Sequence, residues 1–199
     1  MKYIAIEGVI GAGKTTVAKK LAEHRGSRLL LERYEENPFL KDFYKDKERN
    51  AFPVEMFFLA DRIKHLDGYF NDEDLFVHET IADFSFFKSL LFAKVNLNEL
   101  EFKLYDQFFQ LASKRIQQPD LVLFLNRSTS ELRKNIIKRG REYEQLIQDD
   151  YLIQLKEIYI RFLNHQYDGN VLVYNVGESD FLNNESEFIK LVSAINLAF

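Results

Sequence analysis

The 199-residue chain contains no cysteine, which excludes disulfides and thiolate metal sites and is compatible with a reducing compartment. It also lacks any apolar run approaching the ~18 residues a membrane-spanning helix needs. Met1 and Lys2 lead straight into the run YIAIEG, which leaves no room for a signal or transit segment, so a cytoplasmic protein is expected. Positive charge is not in excess. The 27 Lys and Arg are scattered and outweighed by 31 Asp and Glu, for a formal charge of -4, so nucleic-acid binding is not expected. Proline is scarce, with three residues, all among the first 120, and no Pro/Gly/Ser linker, internal repeat or low-complexity tract divides the chain. A single domain over 1–199 is therefore expected.

What is abundant is aromatic surface: 19 Phe and ten Tyr supply bulky packing material for helices. Short apolar runs at Tyr3–Glu7, Arg28–Glu32, Leu75–His78, Leu121–Leu125 and Val171–Tyr174 read as strands. Helical patterns fall between and after them, over about Lys14–His24, Ala51–Phe70, Phe84–Lys94, Asn98–Gln117, Glu131–Lys138, Tyr151–Asn164 and Glu185–Ala198. Strands separated by helices imply right-handed crossovers. The predicted fold is thus α/β, a three-layer arrangement with a five-stranded parallel sheet and helices on both faces.

The sharpest signal is Gly8-Val9-Ile10-Gly11-Ala12-Gly13-Lys14-Thr15, which fits G-x-x-x-x-G-K-[ST] in full, after a strand and before a helix. Glycines let the backbone N–H groups of such a loop turn toward phosphate oxygens, and the helix end adds its positive field. Gly8, Gly11, Ala12, Gly13, Lys14, Thr15 and Thr16 are the expected triphosphate-binding residues, with Lys14 on the β- and γ-phosphates and Thr15 on Mg²⁺. The four histidines show no metal-ligand spacing. No N-K-x-D guanine motif is present, which points away from GTPases.

Three further blocks resemble the deoxyribonucleoside kinases of the deoxycytidine, deoxyguanosine and deoxyadenosine kinase type, over nearly the whole chain. Glu32, followed by Asn37-Pro38-Phe39-Leu40 and Phe43-Tyr44, is similar to the family's E-P-x-x-x-N-P pattern, with Arg33 in place of the usual Pro. The resemblance implies that Glu32 is the general base toward a 5′-hydroxyl. The helix with Glu55, Met56, Phe57, Phe58, Leu59 and Arg62 resembles the base-reading helix. Glu55 and Arg62 stand two turns apart on one face, so both could enter one pocket, and Glu55 replaces the usual Gln. Lys138-Arg139-Gly140-Arg141-Glu142-Tyr143-Glu144-Gln145 resembles the short lid, here about residues 139–148. It implies that Arg139 and Arg141 close over the transferring phosphate, and that Glu144 and Tyr44 contact the sugar 3′-hydroxyl.

After the third strand the family places an acid-Arg-Ser triplet, whereas this chain has Glu79-Thr80-Ile81-Ala82-Asp83-Phe84-Ser85 and no Arg. Asp83 is the preferred metal-side carboxylate and Glu79 the alternative, with Lys88 a candidate for the missing positive charge. Phe92 falls where the family stacks a ring on the base. The loop Val176-Gly177-Glu178-Ser179-Asp180-Phe181 resembles the one bordering the adenine of ATP, which makes Asp180 and Phe181 cofactor-side residues. Together these imply an ATP- and Mg²⁺-dependent deoxynucleoside 5′-kinase acting as a homodimer through a helix bundle. Because an ionised Glu55 only accepts hydrogen bonds, a purine is expected, deoxyguanosine ahead of deoxyadenosine. The rivals are a thymidylate-type monophosphate kinase and a catalytically silent nucleotide-binding subunit.

Overall fold

The computed structural model describes residues 2–70, 78–177, 181 and 184–199. Its strands are β1 (Lys2–Glu7), β2 (Arg28–Leu30), β3 (Glu79–Ala82), β4 (Leu121–Asn126) and β5 (Val171–Asn175). They form one parallel sheet in the order β2-β3-β1-β4-β5. The helices are α1 (Lys14–Arg25), α2 (Leu40–Phe43), α3 (Lys47–Phe70), α4 (Lys88–Asn96), α5 (Glu99–Ser113), α6 (Thr129–Arg139), α7 (Asp149–His165) and α8 (Glu185–Leu197).

The alternation of side chains along the central strand makes the layers. Ile4 and Ile6 pack with Val17 and Leu21 of α1, Ile136 of α6 and Leu191 of α8. Tyr3 and Ala5 point the other way and join Leu59 and Leu66 of α3 and Tyr105 and Phe109 of α5. Along β4, Leu121, Leu123 and Leu125 belong to the first core, whereas Val122 and Phe124 meet Phe87, Tyr159 and Leu163 in a further one. A sheet buried on both faces explains why these strands are almost wholly apolar.

Several expected boundaries move, each for a local reason. The third strand is Glu79–Ala82 rather than Leu75–His78; residues 75–77 lie outside the described residues. A carboxylate can open this strand because Glu79 is held by Arg25 at 2.8 Å and by the Ser27 hydroxyl at 2.5 Å. The second strand stops at Leu30, since the Glu32 N–H turns to Asp83 Oδ1 at 2.8 Å. Helix α4 starts at Lys88 instead of Phe84 because the Ser85 N–H and hydroxyl both donate to buried Glu7, each at 2.6 Å. Helix α3 begins earlier than expected, at Lys47, where Asp46 accepts from the Arg49 N–H and caps the first turn.

Candidate active site

The phosphate loop is shaped by contacts that leave no room for a side chain at Gly8 and Gly11. Gly11 has φ 85°, and a Cβ there would lie 2.6 Å from the Leu132 carbonyl oxygen. A Cβ on Gly8 would lie 2.9 Å from that of Ala12, so both positions require glycine. The loop is braced from outside by Asn135, which donates to the Gly11 carbonyl at 2.8 Å, and by Arg127, which donates to the Ala12 carbonyl at 3.1 Å. Gly8 and Ala12 thus shape the loop from behind, while Gly11, Gly13, Lys14, Thr15 and Thr16 line a cavity of about 850 Å³. Lys14 Nζ donates to the carbonyls of Gly8 at 2.8 Å and Val9 at 3.1 Å. Burial, and then the neighbouring charge of Lys88, lower it to about 8.

At the start of α1 the Thr15 hydroxyl donates to Asp83 Oδ2, and the other oxygen of Asp83 receives the Glu32 N–H. Burial raises the Asp83 carboxyl above its ordinary range, against the pull of the Thr15 bond. Glu79, the alternative carboxylate, opens β3 and is paired with Arg25 and Ser27 away from this cavity, whereas Asp83 follows the strand's end and lines it.

The Glu32 carboxylate sits between two buried cations. Arg62 donates to Oε1 through Nε at 2.9 Å and Nη2 at 2.5 Å, and Lys88 donates to Oε2. Burial alone would raise this carboxyl, but the charges of Lys88 and Arg62 outweigh it and hold Glu32 at about 2. Arg62 also donates to the Ser89 hydroxyl at 2.8 Å; it lines the same cavity as Glu55, as its helical spacing suggested, but its hydrogen bonds go to Glu32 and Ser89. Glu32 offers it a buried countercharge.

Glu55 instead accepts from Asn96 Nδ2 at 2.6 Å, and its Oε2 is buried without a partner among the described residues. Burial raises this carboxyl to about 7 from an ordinary 4.5. With the folded value raised, the stabilising effect of the neutral form is full below about pH 4.5 and is lost as pH rises through about 7. Linkage makes this loss on the order of 3 kcal/mol by pH 8. Glu55→Gln is therefore expected to raise the melting temperature at pH 8 and change it little at pH 5. Thermal denaturation at the two pH values checks this, and equal effects at both would contradict it.

The segment expected to act as a lid follows α6, which Gly140 ends in the left-handed conformation. Arg139 and Arg141 both pair with Glu144, at 2.6 and 2.9 Å. Arg141 also bonds the Tyr34 hydroxyl and lies 3.9 Å over its ring. Tyr143 stacks on Tyr44, whose hydroxyl is pushed up by burial and by Glu144. Phe92, edge-on to Tyr159, and Phe181 line the same cavity as Tyr44, Glu55, Arg62, Arg139, Arg141 and Glu144. Asp180 lies outside the described residues.

Sequence reasoning missed Asn96, for which no local signal exists, and the bracing pair Arg127 and Asn135. It also missed Glu7, whose carboxylate takes the Tyr159 hydroxyl at 2.9 Å besides the two Ser85 donors and so ties β1 to the turn before α4. A carboxylate ending an otherwise apolar strand beside the phosphate loop was the available clue. Lys88, noted only for its charge, proves to be the second cation on Glu32. Among the described residues no helix is long and apolar enough to cross a membrane.

A family model described as deoxynucleoside kinase matches residues 4–198. The deoxyguanosine kinase of Bacillus subtilis is 34% identical, over 97% of this chain and 95% of its own length. The deoxyadenosine kinase of Lactobacillus acidophilus is 28% identical, over 98% and 91%. Among solved structures, the deoxyadenosine kinase of M. mycoides with bound dATP superposes with a TM-score of 0.84 at 27% identity, covering 98% of this chain and 100% of that one.

Proposed function

The chain belongs to the deoxynucleoside kinase family, and from that premise we propose that it transfers the γ-phosphate of ATP to the 5′-hydroxyl of a purine deoxynucleoside. One observation carries this reading: a single cavity joins the phosphate loop, through Lys14 and Thr15, to Glu32, Tyr44, Glu55 and Glu144 on the acceptor side. Relatives named deoxyguanosine and deoxyadenosine kinase support a purine, as does the unpartnered acceptor of Glu55.

The loop N–H groups and Lys14 hold the triphosphate, and Phe181 borders the adenine. Thr15 and Asp83 present a hydroxyl and a carboxylate side by side, an all-oxygen pair that suits Mg²⁺ and would hold it. The metal would supply neutralisation of the negative charge that develops during transfer. Glu32, an ionised but weak base, accepts the hydrogen bond of the 5′-hydroxyl and orients its oxygen. The oxygen–phosphorus bond forms as the bond to the ADP leaving oxygen breaks, and the proton passes to Glu32 once bond formation has made the hydroxyl acidic. Arg139 and Arg141 move their charge from Glu144 toward the equatorial oxygens, where guanidinium forks suit spread negative charge.

Tyr44 and Glu144 take the 3′-hydroxyl, and Phe92 packs on the base. Tyr44→Phe is expected to narrow the kcat/KM preference for 2′-deoxynucleosides over 2′,3′-dideoxynucleosides by about tenfold, the loss of one hydrogen bond to a charge-assisted pair. Paired kinetics on the two sugars check it; an unchanged ratio would place Tyr44 elsewhere.

The whole chain acts as one kinase domain with a lid at about 139–148, in the cytoplasm, and as a homodimer. Exposed Leu100, Leu104, Phe108 and Leu111 support the dimer, since their spacing puts them along one side of α5. A thymidylate-type enzyme would need a cationic clamp for an acceptor phosphate, whereas the cations beside Glu32 here, Arg62 and Lys88, are both paired with that carboxylate. A coupled assay offering deoxynucleosides against their 5′-monophosphates separates the two: phosphorylation of the nucleosides supports this reading, and phosphorylation of the monophosphates alone overturns it. Nucleotide binding with no turnover of either would favour the silent subunit.

A further inference from the structure

Two buried oxygen acceptors, on Glu55 and Asn96, have no donor among the described residues. Glu55, on α3, is 2% exposed; Asn96 Nδ2 holds its Oε1 at 2.6 Å, while Oε2 is unpartnered. Asn96, the last residue of α4, has its own Oδ1 buried and unpartnered as well. The Glu55 carboxylate fixes the amide's orientation, because turning it over would set two acceptors against each other. Both residues line the cavity with Tyr44, Phe92 and Tyr151. Buried polar atoms are nearly always paired, so two orphan acceptors here point to a ligand edge that brings donors.

We propose that Glu55 and Asn96 together read the hydrogen-bonding edge of the base, and that the protonation state of Glu55 sets which purine they prefer. The proposal rests on the deoxynucleoside kinase reading. With Glu55 ionised, the pair offers two acceptors, which match the adjacent N1–H and 2-amino donors of guanine. With Glu55 neutral, its O–H can donate to N1 of adenine while Asn96 Oδ1 accepts from the 6-amino group.

The groups facing Glu55 make it the titrating member. Arg62 and Lys47 of its own helix, Lys88 and Asn96 of α4, Glu32 after β2, Tyr44 after α2, Tyr105 of α5 and Tyr151 of α7 surround it. Glu32 is held near 2 and stays charged, and the three tyrosines are raised and stay neutral. Burial leaves Glu55 at about 7, within the working range of the assay.

The experiment is kcat/KM for deoxyguanosine and deoxyadenosine between pH 6 and 8, in wild type and in Glu55→Gln. Taking the ratio of the two substrates cancels ionisations common to both, such as those at the phosphates. The ratio is expected to rise with pH by as much as ~100-fold, the product of two tenfold changes in the acid and carboxylate fractions about a midpoint near 7. In Glu55→Gln it should be flat. Asn96→Ala should raise that midpoint, because the amide bond favours the carboxylate, and should reduce the preference for deoxyguanosine over 2′-deoxyinosine, which lacks the 2-amino group. A wild-type ratio that is flat, or that rises equally in Glu55→Gln, overturns the proposal while leaving the kinase reading intact. Failure to phosphorylate any deoxynucleoside at any pH removes both.

Discussion

Lys14→Ala is expected to lower kcat by at least ~10³-fold while circular dichroism remains that of the wild type, in line with the loss of a positioned cation on a transferring phosphoryl group. Among the described residues the Lys14 ammonium donates to the carbonyls of Gly8 and Val9, two groups of its own loop, so its removal leaves the packed core intact. Its ammonium is already lowered to about 8 by burial and by Lys88. A triphosphate beside it acts in the opposite direction and favours the charged form, so the cation is most secure when substrate is bound. Steady-state kinetics with saturating ATP check the effect. Activity within about tenfold of wild type, a barrier change of only ~1.4 kcal/mol, would contradict a phosphate-bridging role.

Glu32→Gln is expected to lower kcat by a factor of at least ~100, with a smaller change in the deoxynucleoside KM, as for a group whose contribution appears in the transition state. The amide keeps the shape of the side chain but cannot take the proton. It also leaves Arg62 and Lys88, both buried, without their countercharge, which costs on the order of 3 kcal/mol when one partner of a buried pair is removed. A lower melting temperature should therefore accompany the loss of activity. The pH dependence carries the same sign: with Glu32 depressed to about 2, its stabilising pairs are fully present above its ordinary 4.5 and are lost as pH falls through about 2. An unchanged kcat, in an assay where chemistry limits the rate, would remove Glu32 from the mechanism. Lower stability without lower kcat would confine it to structure.

The parts of the site legible in the sequence are those made by contiguous residues. The phosphate loop declares itself because the backbone turn, the lysine and the hydroxyl must follow one another along the chain. The cluster of Arg139, Arg141 and Glu144 is equally local, since the three meet within six residues of chain. Parallel strands such as β1 and β4 were legible because burial on both faces demands an unbroken apolar run. What depended on long-range partners was not legible. Glu79–Ala82 begins with a charged and a polar residue, and only Arg25 and Ser27, more than 50 positions earlier, make that start acceptable. Helical spacing placed Glu55 and Arg62 on one face, yet it could not say that Glu32 would claim Arg62 and Asn96 would claim Glu55. Lys88 is similar. Its charge was visible in the sequence, but its place beside Glu32 depends on where α4 begins, which Glu7 decides through Ser85.

The measurement closest to the central claim is a turnover screen of the purified chain with ATP and each of the four natural deoxynucleosides, with the phosphorylated position assigned by NMR. The account predicts 5′-monophosphates of the purines, deoxyguanosine first and deoxyadenosine second by kcat/KM at pH 8, with thymidine poor. Thymidine as the best substrate, phosphate at a position other than the 5′-oxygen, or no turnover of any deoxynucleoside would contradict it.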